Sequence, residues 1–147
     1  MIEQELLKNL PYEWPFLFVD EITDVNEEEI QGKFTFDSNL PFFQGHFKNK
    51  PVTPGAILTE CCAQIGVVCL GLYLLGDNFD ADAIVALTNS EMEFLLPVLP
   101  EETVMVKSEK VYFRFNKLKC KVKMFNAEGK LVCRGIIAGI LKPSYHA

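Results

Sequence analysis

Twenty residues from Ala56 to Leu75 carry a single charge, the carboxyl of Glu60. A helix so apolar on nearly every face is either buried all round or set in a bilayer. Glu60 and Gln64 lie inside the stretch, no basic flank follows it, and the remainder of the chain reads as strands. The segment is therefore expected to be a core helix that the rest of the chain exists to cover. Thr53 reads as its N-cap and Pro54 as its first helical position, where a missing N–H is harmless.

The flanking sequence supplies the cover. Ile2–Leu10 has the spacing of a short amphipathic helix that Pro11 stops. An extended turn from Pro11 to Pro15 leads to the apolar run Phe16–Val19 and a strand over Glu21–Val25. Ile30–Phe36 alternates, with Ile30, Gly32, Phe34 and Phe36 on one face and Gln31, Lys33 and Thr35 on the other. The same period runs through Val104, Val106, Val111, Phe113 and Phe115 of Thr103–Phe115. It returns in Leu118, Cys120, Val122 and Met124 of Leu118–Phe125, against Lys119, Lys121 and Lys123. Ala83–Leu96 is strand-like and is ended by Pro97. Asn126–Gly129 is a hairpin turn with glycine placed for positive φ, and Leu131–Leu141 is the last strand. Gly76–Asp82 is a turn-rich break. Asp37–Thr53 has little periodicity and reads as a loop of a length usually reserved for function. Hairpin connections around one long helix predict an α+β fold, an antiparallel sheet wrapped around that helix in a single domain of 147 residues. Twelve phenylalanines point to an aromatic-rich core or an apolar tunnel.

Charge is unevenly distributed within a net of −6. Met1–Glu102 holds 18 acidic and 4 basic residues, and Thr103–Ala147 holds 10 basic and 2 acidic. The C-terminal part is either the solvated face of strands or a basic surface that meets an acidic partner. Helix-turn-helix and zinc-finger spacings are absent, so nucleic acid is not expected. Phosphate-binding glycine patterns are absent as well. The five cysteines, Cys61, Cys62, Cys69, Cys120 and Cys133, lack paired ligand spacing and read as small buried apolar residues. Reduced thiols and the absence of an export leader fit a cytoplasmic protein.

Two residues carry acid–base chemistry. His46 sits in the aromatic loop Phe42-Phe43-Gln44-Gly45-His46-Phe47, and the other histidine, His146, is near the C-terminus. Packing alone would account for a loop histidine. Imidazole is also the side chain whose unperturbed pKa lies near neutrality, which suits a base that takes and returns a proton. Glu60 is harder to explain by packing, because an ionised carboxylate on an apolar helix is expensive to desolvate. In an apolar pocket it tends toward the protonated form of a general acid. Gln64, one turn on, can hold it by a hydrogen bond. One histidine and one glutamate are not a metal ligand set. The free N–H groups at the helix start, Thr53 to Ala56, can bind a carbonyl oxygen that gains negative charge. A base, an acid and a carbonyl clamp suit proton abstraction beside a carbonyl with loss of a β-hydroxyl as water.

In order and spacing, Phe42–Phe47, then Pro51-Val52-x-Pro54-Gly55, then Glu60-x-x-Ala63-Gln64 resemble the signature of the β-hydroxyacyl-acyl-carrier-protein dehydratases of the hot-dog fold. Leu10-Pro11, Pro15–Asp20 and Phe94-Leu95-x-Pro97-Val98 extend the resemblance over nearly the whole chain. The resemblance implies His46 and Glu60 as catalytic residues and the Gly55 N–H as ligand of the thioester oxygen. It further implies Phe43, Pro54 and Gln64 as substrate contacts. It implies a dimer, or a larger assembly of dimers, with each site shared between subunits. Glutamate at position 60 resembles the branch that dehydrates without isomerising. Lys48-Asn49-Lys50 stands where the family has a Pro-Gly turn, Thr53 where it has methionine, and Tyr12 where it has histidine.

The sequence thus reads as a dehydratase that converts a 3-hydroxyacyl thioester on acyl-carrier protein to the trans-2-enoyl thioester, in fatty-acid or polyketide/polyene synthesis. It needs no metal or cofactor beyond the substrate's own phosphopantetheine, no nucleic acid and no membrane span. Lys48, Lys50 and Arg114 are the expected docking residues for the carrier protein, Arg114 within a basic group that includes Lys117, Lys119 and Arg134. A thioesterase of the same fold and a non-catalytic subunit of a dehydratase heterodimer are the alternatives.

Overall fold

The structure, a computed structural model, describes residues 2–78 and 84–142. The apolar segment forms one continuous helix, Gly55–Leu75 (α2). Before it come the helix Ile2–Lys8 (α1), the strands Glu21–Val25 (β1) and Glu29–Thr35 (β2), and a 3₁₀ turn at Pro41–Gln44. After it come Ile84–Phe94 (β3), Thr103–Arg114 (β4), Lys117–Phe125 (β5) and Leu131–Lys142 (β6). The six strands form one antiparallel sheet in the order β1-β2-β4-β5-β6-β3. The sheet curls around α2, which is the hot-dog arrangement. The turn expected over Gly76–Asp82 opens as a 3₁₀ turn at Gly76–Asn78. The rest of that turn, the first residue of the strand expected from Ala83, and His146 lie outside the described residues.

The period-2 pattern builds the wrap. Ile30, Gly32 and Phe34 of β2, Val104, Val106 and Ser108 of β4, and Leu118, Cys120, Val122 and Met124 of β5 are all buried. Each fully buried apolar side chain contributes roughly 1.5–3 kcal/mol. On the helix, Cys61 to Leu72 are buried without a break. Burial on every face fails only at the ends, where Ala56 is exposed and Ile57, Thr59, Glu60 and Tyr73–Leu75 are half-buried. Phenylalanines link the covering segments: Phe18 meets Phe34 edge-on at 5.6 Å, Phe34 meets Phe36 at 4.8 Å, and Phe42 meets Phe43 at 4.5 Å. All five cysteines are buried and free.

Three details depart from the sequence reading. The helix starts at Gly55, with Pro54 as N-cap and no side-chain cap. The Thr53 hydroxyl, expected to cap, is buried without a hydrogen-bond partner. The Thr53 N–H is tied to the Val98 carbonyl at 2.8 Å, which turns the residue into the loop rather than over the helix end. Second, the alternation in β4 does not persist to Phe115. The register with β5 shifts between Lys110 and Tyr112, so Val111 is 48% exposed. The strand then ends at Arg114, and Phe115 belongs to the turn. Third, Gln64–Cys69 is a π segment within the helix. The Ser108 hydroxyl donates to the Gly66 carbonyl there at 2.9 Å.

At Gly66 the π segment packs tightly against the sheet. A Cβ at this position would lie 2.9 Å from Ser108 Cβ and 3.0 Å from Val122 Cγ1, and both neighbours are buried. Gly66→Ala is expected to lower stability by about 1–3 kcal/mol through overpacking. Urea unfolding of the two proteins checks this, and an unchanged midpoint would mean that the helix slides to make room.

Candidate active site

Gln64 is fully buried, and its amide is used completely. Its oxygen accepts the Phe18 N–H at 2.8 Å, and its nitrogen donates to the Phe16 carbonyl at 3.0 Å and to Glu60 Oε2 at 3.1 Å. The last bond is the one-turn contact that the spacing predicts. The first two hold Phe16–Phe18, an irregular segment that no strand pairs. Loss of the amide would leave a buried N–H without an acceptor, a defect worth about 1–3 kcal/mol. One side chain therefore fixes both the carboxylate and the segment beside it.

Glu60 is half-buried and faces a cavity of about 190 Å³. Tyr12 and Phe16 line one side, Val67 and Val68 of α2 the floor, and Val85–Leu87 of β3 and Gly139–Leu141 of β6 the remainder. An apolar cleft holding one carboxylate suits an acyl chain with a single polar group near its reactive end.

His46 follows the 3₁₀ turn in the loop before α2. Its N–H donates to the Phe42 carbonyl at 3.2 Å, and its carbonyl accepts the Val52 N–H at 2.8 Å. Its Nδ1 lies 3.0 Å from the Val52 carbonyl oxygen. A carbonyl only accepts, so Nδ1 carries the hydrogen, and in the neutral ring Nε2 is the basic nitrogen. The ring stacks on Phe47 at 4.2 Å. His46 is not among the residues lining the Glu60 cavity. The histidine in its hydrogen-bonded loop and the carboxylate in its cleft are thus two separate candidate groups in one chain.

The other expected site residues are dispersed. Gly55 is the first residue of α2, so its N–H has no partner within the helix. The Phe94 ring packs 3.2 Å from where a Gly55 Cβ would stand, so any side chain here would press on that ring. Pro54 accepts the Ile57 and Leu58 N–H groups at 2.9 and 3.1 Å. Phe43 lies in the core against Phe42. Lys48 and Lys50 are exposed on the turn that closes between Phe47 and Lys50, N to O 3.1 Å in both directions. Arg114 ends β4, its guanidinium 4.4 Å above the Tyr112 ring. Arg134, grouped with it in sequence, is instead paired with Glu93 at 2.9 Å. Among the described residues no three metal-ligating side chains converge. Tyr12, which the sequence marks only as a departure from a family histidine, proves to be a wall of the Glu60 cavity. Its place after Pro11 on an extended turn gave no sign of that neighbour.

A family model described as the FabA-like domain matches residues 10–138. A protein of Caldicellulosiruptor bescii named 3-hydroxyacyl-[acyl-carrier-protein] dehydratase FabZ is 30% identical over 139 residues, 94% of this chain and 96% of that one. A Thermus thermophilus protein of the same name is 31% identical over 137 residues, 92% of this chain and 87% of its own length. Among solved structures, the dehydratase heterocomplex ApeI:P from Xenorhabdus doucetiae superposes with a TM-score of 0.78 at 12% identity, covering 95% of this chain and 92% of that one. A thioesterase from Haemophilus influenzae gives 0.62 at 18% identity, covering 86% and 82%. At these identities the structures share the fold and nothing finer.

Burial, with Glu60 and then Cys69 as lesser contributors, pushes the Tyr12 phenol from its ordinary value of 10.0 up to about 12. The folded protein keeps this proton where the unfolded chain loses it. The stability it contributes is complete below pH 10 and is lost as pH rises toward 12. Urea midpoints measured across that window should fall for the wild type and fall less for Tyr12→Phe. Parallel curves would mean that the phenol is in free contact with water.

Proposed function

The chain belongs to the FabA-like family, and from that premise we propose that it is a 3-hydroxyacyl-acyl-carrier-protein dehydratase acting on a thioester carried by phosphopantetheine. The observation that carries the reading is the family match spanning residues 10–138, a span that contains His46 and Glu60, the two candidate acid–base residues. His46 Nε2 takes the proton from C2. The oxygen of the developing enolate rests on the Gly55 N–H at the positive end of α2. Glu60, held by Gln64, gives a proton to the C3 hydroxyl, which departs as water and leaves the C2–C3 double bond. His46 and Glu60 then return to their starting protonation states. The chemistry asks for no metal or separate cofactor, and a cytoplasmic location with reduced cysteines belongs to the same reading.

The site is completed by a second copy of the chain. β3 is the last strand of the sheet, with a free edge eleven residues long. An edge of that length is a pairing surface unless something covers it. Leu87 on the strand and Phe94 at its end are 45% and 47% exposed, with Leu95 and Leu96 beyond. The Glu60 cavity is walled by Val85–Leu87 of this same strand. A copy laid along β3 would cover these side chains and bring its own His46 loop to the cavity. The carrier protein would then meet Lys48 and Lys50 from the histidine half-site and Arg114 from the carboxylate half-site.

Incubation with a 3-hydroxyacyl thioester tests the activity: enoyl absorbance identifies the dehydratase, free thiol a thioesterase, and neither a non-catalytic subunit. His46→Ala and Glu60→Gln are each expected to lower turnover by ~10²–10⁴-fold in a folded protein. Mixing the two variants under subunit exchange should recover part of the activity, because one hybrid site keeps both groups. A fully active monomer would sink the shared site. Reversing Lys48 and Lys50 to glutamate should raise KM for carrier-bound substrate and leave a pantetheine thioester unaffected, since rim charges act on association. Equal loss on both substrates would assign these lysines to the shape of the His46 loop.

A further inference from the structure

We propose that Phe115, at the tip of the β4–β5 hairpin, is an aromatic anchor that enters an apolar crevice of the acidic carrier protein. The inference rests on the dehydratase reading, which supplies that partner. Phe115 is 95% exposed, more than any other large apolar side chain described. Its φ is +51° and that of Asn116 is +63°. Positive φ at both central residues is the type I′ form of a two-residue hairpin connection, for which Asn-Gly is the favoured pair. A bulky aromatic there is an outlier. Backbone preference therefore disfavours phenylalanine, and packing among the described residues returns almost nothing. A bulky side chain held in an unfavourable backbone conformation points to a function outside the fold, here packing on a partner.

The surroundings state the charge of the partner. Arg114 is steadied by its stack on Tyr112 at 4.4 Å, and Lys119 lies 5.9 Å from the same ring. Lys117 stands opposite Arg114 in the strand register. No acidic residue occurs from Lys110 to Lys119. Glu91 alone contributes an opposing charge to the shallow cleft beside Tyr112, Lys117 and Lys119. An exposed aromatic flanked by cations, one of them a pre-ordered arginine, has the composition of an interface hot spot for an acidic surface. The hairpin is also joined to the cavity wall. The Leu141 N–H donates to the Asn116 carbonyl at 2.9 Å, Lys117 pairs with Ile140, and Ile140 and Leu141 both line the Glu60 cavity. A protein held at this tip rests one strand away from the carboxylate.

Phe115→Gly separates anchoring from structure, because glycine suits the turn. Its urea midpoint should equal or exceed that of the wild type. Its Kd for the acidic carrier protein, and its KM for carrier-bound 3-hydroxyacyl substrate, should rise roughly fivefold or more, as expected for an anchor residue. Turnover of a 3-hydroxyacyl pantetheine thioester should not change, and Phe115→Trp should keep the carrier affinity. An unchanged Kd for the carrier protein would overturn the proposal, and so would equal losses on both substrates. Binding to vesicles of equal phosphatidylcholine and phosphatidylglycerol that is lost in Phe115→Gly, with carrier Kd unchanged, would overturn it in favour of a membrane contact. Absence of turnover on any thioester refutes the dehydratase reading, whereas the Kd comparison still judges Phe115.

Discussion

Everything in this fold follows from the need to keep α2 dry. A helix satisfies its own backbone, so it can be enclosed on all sides as long as its side chains are apolar or fully bonded. The sheet meets the first condition with alternating strands. The exceptions are met individually. Ser108, on the buried face of β4, bonds to Gly66 where the helix widens. Gln64, the most deeply placed polar side chain of the helix, satisfies its whole amide by replacing a missing strand partner for Phe16–Phe18 and by reaching Glu60. The carboxylate is tolerated because it lies one turn nearer the open end, where the helix is only half-covered.

Periodicity made most of this architecture legible. β2 and β5 bury the residues that the period-2 pattern selects, and the helix begins one residue from its expected start. The pattern failed where local geometry outweighs it. The register shift at Lys110–Tyr112 cannot be seen in a run of Val, Tyr, Phe and Arg that suits either face. Phe115 continues the alternation on paper and leaves the strand in space. Thr53 has the composition of a cap, but its backbone bond to Val98 joins residues far apart in sequence, which local rules do not see. The π segment has no sequence signature, since its residues are as apolar as those of the α-helical turns around it.

The candidate acid and base stood out as residue types, because a lone carboxylate in an apolar helix and a histidine in an aromatic loop each demand a reason. Their arrangement was not legible from residue types alone. His46 is held through Nδ1 by the loop itself, whereas Glu60 is held by Gln64 on the helix, and His46 does not line the cavity that Glu60 faces. Phe43 shows the opposite limit. It stands in the same motif as His46, yet it is a core residue packed at a tilt against Phe42.

The charge asymmetry along the chain divides on the sheet into two parts of different meaning. On the outer face Lys107 stands opposite Lys123, and Lys123 opposite Arg134. Like charges directly across strands are unfavourable by a few tenths of a kcal/mol up to about 1. Here the repulsion is relieved locally. Arg134 pairs with Glu93 at 2.9 Å, Lys107 lies 5.4 Å from the Phe125 ring, and Lys121 faces Glu109 in register. A solvated face with its own counter-charges accounts for these cations without a partner. The hairpin end differs, because among the described residues Glu91 is the one acidic side chain lining the cleft beside Lys117 and Lys119, and Arg114 stands next to an aromatic tip. Excess positive charge is therefore concentrated where β4 and β5 turn, beside the strand segment that walls the carboxylate cavity. An acidic partner attracted to this chain as a whole would meet a net charge of −6. Attraction must then act over roughly a screening length of ~8 Å, and at that range the local sign at the hairpin outweighs the global one.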